Sequence, residues 1–182
     1  MPTLLSHPAI PIAIAVATGR SVSRRLLTAA IVASVLPDVD TVGLYLGVPY
    51  AHLVGHRGLA HSLTFAFVVA LLGMSFARSL AARPLVAFLV LFASAASHGL
   101  LDACTSGGLG IALLSPLDET RYFFPWQPIA VSPLTPSGFT LGRTVRVLGS
   151  ELRWVWLPAA MLGAVGTLLR VSCSRAESYQ KR

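Results

Sequence analysis

Histidines and aspartates gather near the ends of apolar segments in a sequence that carries very few charges. The chain contains five histidines and seven acidic residues, and only 12% of its 182 residues are charged. Neutral imidazole nitrogens and carboxylate oxygens form the ligand set that Zn²⁺, Mn²⁺ and Fe²⁺ take in proteins. The residues of interest are His7, Asp38, Asp40, His52, His56, His61, His98 and Asp102. Such a set suits hydrolysis by metal-activated water.

Each piece also has a purely structural explanation when it is taken alone. His98 and Asp102 are four residues apart and share a helix face, so a satisfied His–carboxylate pair explains them equally well. Asp38 follows a helix-ending proline and could simply cap the next turn. The combination favours function, because ionisable groups at membrane depth are costly and usually mark a working site. The cysteines, Cys104 and Cys173, fall at opposite ends and do not suit a Cys-rich zinc site.

The composition indicates a membrane protein. The chain is 54% hydrophobic with a mean hydropathy of +0.72, which excludes a disordered chain and leaves too few charges to cover a soluble globule. Two cysteines exclude a disulfide scaffold. Fourteen Lys and Arg against seven acids give a net charge of +7. This surplus reflects scarce acids rather than a basic run, so nucleic acid is not an expected partner.

Five apolar segments predict an all-α membrane protein with about five hydrophobic helices. A full span needs about 20 apolar residues. Three segments reach that length with their flanks, residues 62–81, 84–102 and 153–171, and two are shorter, residues 10–18 and 26–36. The short pair is expected either to form a helical hairpin against the other helices or to cross a locally thinned bilayer.

We expect one helical membrane domain over residues 1–182, with an extramembrane loop over residues 103–152 before the last helix. The loop is rich in Gly and Pro, and loops of this length are usually functional. Its aromatic residues at 122–126 suit a membrane–water interface, where we expect them to anchor the loop.

The basic residues predict an orientation in the membrane. With five passes, three clusters of basic residues fall on one side, which the positive-inside rule makes cytoplasmic together with the C-terminus. Nine basic residues lie on that side: Arg20, Arg24, Arg25, Arg78, Arg83, Arg170, Arg175, Lys181 and Arg182. Five lie on the other side: Arg57, Arg121, Arg143, Arg146 and Arg153. The His/Asp residues then belong to the non-cytoplasmic face.

Three short motifs resemble a known family of inner-membrane proteins. They are LPDVD at residues 36–40, GHRGLAHS at residues 55–62 and SHGLLD at residues 97–102. In this order, with the early His7 and the Gly/Pro-rich stretch at 105–116, they resemble the YdjM-like inner-membrane metal-dependent hydrolases. The resemblance covers residues 5–135, and GHRGLAHS is its most specific element. That family is similar in turn to zinc-dependent phospholipases C and related nucleases, which are helical enzymes with clustered His/Asp metals.

The resemblance implies a role for most of the residues. The implied metal ligands are His7, Asp38, His56, His61, His98 and Asp102. Asp40 is implied as a catalytic residue, either as a further ligand or as a carboxylate that orients an imidazole. In the expected mechanism, Asp40 or a ligand carboxylate accepts the proton of the attacking water. Arg57 is implied to bind the substrate anion, because a guanidinium matches phosphate with two hydrogen bonds. Many members have a histidine where this chain has Thr41, which removes one candidate ligand, and His52 matches no motif.

The expected function is hydrolysis of a phosphoester within a bacterial-type inner membrane, with a lipid or lipid-linked substrate because the site lies at a membrane face. The implied cofactor is one or two divalent metal ions, with zinc favoured over manganese or iron. A transporter of metal ions or protons is an alternative, but residues 63–77 and 85–96 contain only Thr64, Ser75 and Ser94 as polar side chains. A non-catalytic scaffold with a structural metal is the third alternative.

Overall fold

The computed structural model describes the backbone of residues 1–180 and the side chains of residues 1–174 apart from Pro136. Lys181, Arg182 and the side chain of Arg175, which enter the predicted orientation, lie outside these residues. The described backbone contains two isolated bridges but no β-strand. Its α-helices are α1 Ala9–Thr18, α2 Arg24–Val35, α3 Thr41–Tyr45, α4 Leu63–Ser75, α5 Pro84–Ala103, α6 Leu141–Glu151 and α7 Leu157–Gln180.

Short helical turns join four of these helices into two long rods. A 3₁₀ turn, Leu36–Asp40, links α2 to α3, and a π-helical turn, Leu152–Trp156, links α6 to α7. Residues 1–180 therefore form five rods, and three are long and apolar enough to cross a membrane: Arg24–Tyr45, Pro84–Ala103 and Leu141–Ser174. The shorter apolar pieces are Ala9–Ser21 and Leu63–Ser75. The predicted all-α membrane architecture is confirmed.

Two helices differ in length from the prediction. The expected full span over residues 62–81 is wrong, because α4 ends at Ser75 and is about 20 Å long, short of the roughly 30 Å hydrocarbon core. Beyond it the chain turns and docks on the start of α2, where the Ser23 hydroxyl donates to the Leu80 carbonyl. The segment expected to be short, 26–36, belongs to a 22-residue rod. This rod continues because a proline begins the 3₁₀ turn, where its missing N–H breaks no helical hydrogen bond.

The loop predicted over residues 103–152 is shorter in the structure, because α6 occupies much of its second half. The irregular segment is residues 104–140. Backbone hydrogen bonds tie it to the helices, among them one from the Leu63 amide to the Leu113 carbonyl. It therefore lies against the end of the bundle at which α4 begins and α5 ends.

Small residues let the helices approach closely. The main contacts are α4 on α5, α2 on α5 and α1 on α7. The core between α2, α4 and α5 is mostly alanine: Ala30, Ala33, Ala66, Ala70, Ala87, Ala95 and Ala96, with Leu26 and Leu91. Large apolar side chains such as Leu72, Leu89 and Leu162 are exposed instead. This distribution suits a bundle whose solvent is lipid, where close van der Waals packing between helices drives association.

Successive rods run in opposite directions, which places the chemistry at one end. His7 precedes α1, Asp38 and Asp40 follow α2, His61 precedes α4, and Asp102 lies in the last turn of α5. The α1–α2 turn, the first residues of α2 and the α4–α5 turn lie at the other end, and together they carry five of the eight arginines predicted to be cytoplasmic.

Candidate metal centre

All six residues predicted as metal ligands converge in one buried cluster. They come from the N-terminal segment, the 3₁₀ turn after α2, the loop before α4 and the last turns of α5. None is more than 7% exposed. The six are His7, Asp38, His56, His61, His98 and Asp102.

The cluster consists of two adjoining groups, each of which could hold a metal ion. His7, His98 and Asp102 form one group, and Asp38, His56 and His61 form the other. Within each group the three ligand atoms lie within 4.8 Å of one another. Asp38 Oδ1 lies 3.4 Å from His98 Nε2, and Asp102 Oδ2 lies 3.6 Å from His61 Nε2. Each carboxylate therefore faces a histidine of the other group as well as those of its own.

Contacts on the side away from the cluster orient three of the four imidazoles, those of His56, His61 and His98. The Ser34 carbonyl lies 2.7 Å from His98 Nδ1 and can only accept, so Nδ1 donates and Nε2 keeps its lone pair. Asp40 Oδ1 accepts from His56 Nδ1 at 2.7 Å, and Asp40 Oδ2 lies 3.0 Å from His61 Nδ1. A single carboxylate thus orients two imidazoles with their Nε2 atoms available as ligands.

Buried polar atoms without partners test whether these residues fit a metal. The unpartnered atoms include Nε2 of His7 and His56 and both carboxylate oxygens of Asp38 and Asp102. Leaving a buried polar atom unpaired costs about 1–3 kcal/mol, and more for a charged group. A divalent cation would satisfy these lone pairs together, so the donor set and its burial fit a metal centre.

The electrostatics of the cluster favour a cation. Burial is the main reason that the pKa of His7 is lowered to about 3, which keeps this imidazole neutral, with one ring nitrogen free to bind a cation. Burial also opposes charge on His61, but its contacts with Asp38 and Asp40 outweigh that effect and raise its pKa to about 9. Three aspartates lie in or beside the cluster, Asp38, Asp40 and Asp102. They exceed the one guanidinium there, that of Arg57, by two negative charges, or by one when His61 is protonated. Proton and metal therefore compete for this site.

Arg57 lies inside the cluster, where it joins the helices to the irregular segment. Its side chain is 1% exposed and donates to the Gly107 carbonyl at 2.7 Å and to the Thr105 hydroxyl at 3.0 Å. Its Nε lies 3.3 Å from Asp102 Oδ2. Gly108 makes room for the guanidinium, since a Cβ there would meet Arg57 Nη1 at 2.5 Å. These contacts hold Asp102 and the irregular segment together.

A cavity of about 320 Å³ adjoins the centre. His56 and Arg57 are among its lining residues, together with Tyr50, Gly108 and Arg143. The cavity gives a small ligand access to one candidate metal ligand and to the guanidinium beside it.

Two polar residues near the motifs lie outside the cluster. The Thr41 hydroxyl donates to the Asp38 carbonyl at 2.7 Å, so it stabilises the local turn and takes no ligand position. His52 is exposed, and its ring accepts a hydrogen bond from the Val54 amide at 3.3 Å.

Arg121 fastens the loop that carries His56 and Arg57, a role the sequence did not reveal. Its Nη1 donates to the carbonyl of His56 at 3.2 Å and to that of Arg57 at 3.3 Å, and its Nη2 donates to the Tyr50 carbonyl at 3.1 Å. The partners are backbone atoms far away in sequence, and no motif marks such contacts.

Replacing Arg121 with Gln should weaken metal binding by about 10-fold, because the freed loop no longer holds the His56 imidazole in place. Competition with a chromophoric chelator measures the affinity. Arg146→Gln, a change of an exposed arginine on α6, is the matched control. Equal metal affinities for the two variants would refute a positioning role for Arg121.

Glu151 holds the segment that carries His7. Its carboxylate is 2% exposed and accepts from the Thr3 amide, and it accepts from the Thr3 and Ser6 hydroxyls at 2.7 Å each. The end of α6 thereby anchors the residues before α1.

The Glu151→Ala protein should unfold at a lower temperature in detergent, because the Thr3 and Ser6 donors lose their buried acceptor. We expect a loss of about 1–3 kcal/mol. Glu119→Ala, which changes an exposed acid, should leave the midpoint unchanged. A Glu151→Ala midpoint equal to that of the parent protein would contradict the anchoring role.

These features define a class, the multi-helix membrane protein with a buried His/Asp cluster at one end of its bundle that could bind a metal ion. The family model of the YdjM inner membrane protein matches residues 1–175, so the chain belongs to that family. It is 43% identical to the inner membrane protein YbcI of Escherichia coli (strain K12) over 164 residues, which cover 89% of this chain and 95% of that protein. No solved structure matches the chain. The predicted family and inner-membrane class are confirmed.

Proposed function

We propose that the protein is a membrane-embedded, metal-dependent hydrolase that cleaves a phosphoester. The observation that carries this proposal is the convergence of six buried His/Asp side chains with unpartnered ligand atoms beside a cavity. A purely structural metal site needs no such access, since its coordination is closed by protein ligands.

We infer that the centre holds two ions, with zinc favoured by its four imidazoles. His7 and His98 would serve one ion, His56 and His61 the other, and the carboxylates of Asp38 and Asp102 face both groups. Divalent ions bound there would supply Lewis-acid activation of water and of phosphoryl oxygens. Two such ions would also turn the negative excess of the cluster into a positive one, which favours an anionic substrate.

The contacts of the three aspartates favour different roles for them, either orienting an imidazole or accepting a proton. Both oxygens of Asp40 face imidazole Nδ1 atoms, and Oδ2 also accepts from the Arg57 amide, so Asp40 suits orientation better than proton transfer. The oxygens of Asp38 and Asp102 accept no hydrogen bond, although Arg57 lies beside Asp102, and they are better placed to take up a proton from the attacking water. Arg57 and Arg143 both line the cavity, where a guanidinium can bind a phosphate oxygen.

An apolar groove next to the centre favours a lipid or lipid-linked substrate. This groove, of about 340 Å³, is lined by Leu63, Leu113, Leu114, Phe123 and Phe124 among others. It begins at residues that directly follow Ser62 and Asp102 in the chain, so an acyl or prenyl chain bound there would place its phosphate near the cluster.

Hydrolysis of a phosphodiester by the purified protein, with and without chelator, tests the proposal. The substrates for this test are bis-p-nitrophenyl phosphate and short-chain phospholipids. Turnover should require metal. It should fall at least 100-fold in the His98→Ala variant, in proportion to the metal that this variant loses, and it should stay unchanged in the Glu119→Gln variant. Turnover indifferent to His98→Ala refutes the proposal. If the protein shows no turnover and unfolds when the metal is chelated, the result supports a structural role for the metal instead.

We further infer that the C-terminus faces the cytoplasm and that the metal centre faces the opposite side. Because successive rods run in opposite directions, the turns that carry arginines and the end of α7 lie on the side opposite the cluster. The positive-inside rule makes that side cytoplasmic. A green fluorescent protein fused to the C-terminus should therefore fluoresce, and alkaline phosphatase fused there should be inactive. An active phosphatase fusion would reverse the orientation.

A further inference from the structure

A second polar cavity lies at the end of the bundle opposite the metal centre. It has a volume of about 590 Å³ and lies between the α1–α2 turn and the α4–α5 turn. Three arginines line it, Arg20 from the first turn and Arg78 and Arg83 from the second. Ala82 and Val86 add an apolar wall.

Specific hydrogen bonds hold the walls of this cavity in place. The Ser23 hydroxyl donates to the Leu80 carbonyl, and the same side chain caps α2 by accepting from the Leu26 amide. Arg25 Nη1 donates to the Ser79 carbonyl at 3.3 Å. The α4–α5 turn is therefore docked on the start of α2, and the arginines project from a fixed frame.

The three arginines have no acidic partner among the described side chains. Every ion pair that the structure records within residues 1–174 lies in the metal centre. The guanidinium groups of Arg20, Arg78 and Arg83 also donate no hydrogen bond within the described part of the chain. Three free guanidinium groups around one cavity match the oxygens of a phosphate, which accept paired hydrogen bonds from arginine.

The surroundings of the cavity favour a phosphate that carries acyl chains. Arg83 directly precedes α5, and Val86 and Leu89 are three residues apart and therefore neighbours on the surface of that helix, which leads from the cavity along the bundle. Leu89 is 54% exposed, and nearby Leu85 and Phe76 are 65% and 63% exposed. The exposed apolar surface thus lies next to the arginines. A phospholipid needs this arrangement, because its charged headgroup and its apolar chains are joined directly.

We propose that this cavity binds the headgroup of an anionic phospholipid, with its phosphate among Arg20, Arg78 and Arg83 and its acyl chains along the outer face of α5. The site is separate from the metal centre and does not depend on the proposed hydrolase activity. It would fix the two turns relative to each other, because one headgroup bridges residues from both.

Lipid titration of the purified full-length protein in a zwitterionic detergent tests this site. The probes are dioctanoyl phosphatidylglycerol, dioctanoyl phosphatidylcholine and inorganic phosphate, and the readouts are lipid adducts in native mass spectrometry and the unfolding midpoint. The test variant is Arg78→Gln/Arg83→Gln. The control is Arg24→Gln/Arg146→Gln, which removes the same charge from exposed arginines that do not line the cavity.

Phosphatidylglycerol should bind saturably and raise the midpoint, whereas phosphatidylcholine should not. The Arg78/Arg83 variant should lose more than about tenfold in phosphatidylglycerol affinity, and the control should stay within about threefold of the parent. A single Arg20→Gln change should weaken binding in the same direction, which covers the case that the double variant misfolds. Equal losses in both double variants, or equal binding of the two lipids, would overturn the proposal. Full displacement of the lipid by inorganic phosphate would overturn it in favour of a soluble anion.

Discussion

Asp38→Asn should strip most of the metal from the purified protein and weaken metal affinity by more than about 100-fold, beyond the 10- to 100-fold typical of residues that only support a ligand. Asp38 Oδ1 faces His61 at 3.7 Å and His98 at 3.4 Å, and Oδ2 faces His7 at 3.9 Å. The amide replaces one of these oxygens with an NH₂ group that cannot bind a cation, and it removes the negative charge. Metal analysis by inductively coupled plasma mass spectrometry gives the occupancy.

Glu119→Gln is the matched control for this loss, because it makes the same acid-to-amide change at an exposed position. The control should retain full metal content. Folding is checked by the helical circular dichroism signal of both variants. A folded Asp38→Asn protein with the metal content of the parent would show that Asp38 is not a ligand. A parent protein that contains no metal after purification would refute the metal centre itself.

The convergence of the candidate ligands could be predicted from sequence because most of them lie at or near a helix end. Asp38 follows α2, His61 precedes α4, and Asp102 ends α5, so alternating helices bring all three to one side. The polar residues also stand out in a chain of such low charge, so their types and spacing alone indicate a cluster.

The lengths of α4 and of the rod that begins with α2 could not be predicted, because they depend on local turn geometry and on contacts between distant turns. Pro37 normally signals the end of a helix, but here it opens a 3₁₀ turn that continues the rod to Tyr45. The end of α4 is likewise set by the docking of Leu80 on Ser23, a contact across 57 residues.

The residues that support the ligands escaped prediction for the same reason. Glu151 holds Thr3 across 148 residues, and Arg121 holds the His56 carbonyl across 65. Neither has a local pattern that distinguishes it from a surface charge. The sequence therefore shows the groups that could bind a metal, whereas only the structure shows which residues hold these groups in position.

Asp40 is the supporting residue with the largest influence on that framework. Its two oxygens face Nδ1 of His56 and Nδ1 of His61. A carboxylate in that position favours a proton on Nδ1 of each imidazole and leaves Nε2 directed toward the cluster. The sequence left three roles open for Asp40, namely a ligand, an orienting carboxylate or the acceptor of the water proton, and these contacts favour the orienting role.

Asp40→Asn should lower metal affinity by about 10- to 100-fold while the metal-free protein keeps its unfolding midpoint within a few degrees. An asparagine has one acceptor and one donor group, so it can accept from only one of the two Nδ1–H groups. Its NH₂ group would instead favour an unprotonated Nδ1 on the other imidazole, which moves that proton to Nε2 and blocks it as a ligand. Chelator competition measures the affinity, and Asp118→Asn supplies an acid-to-amide control outside the cluster. Parent-like affinity in a folded Asp40→Asn protein would mean that the two imidazoles are oriented without Asp40. A lowered midpoint in the metal-free state with unchanged affinity would assign the residue to stability alone.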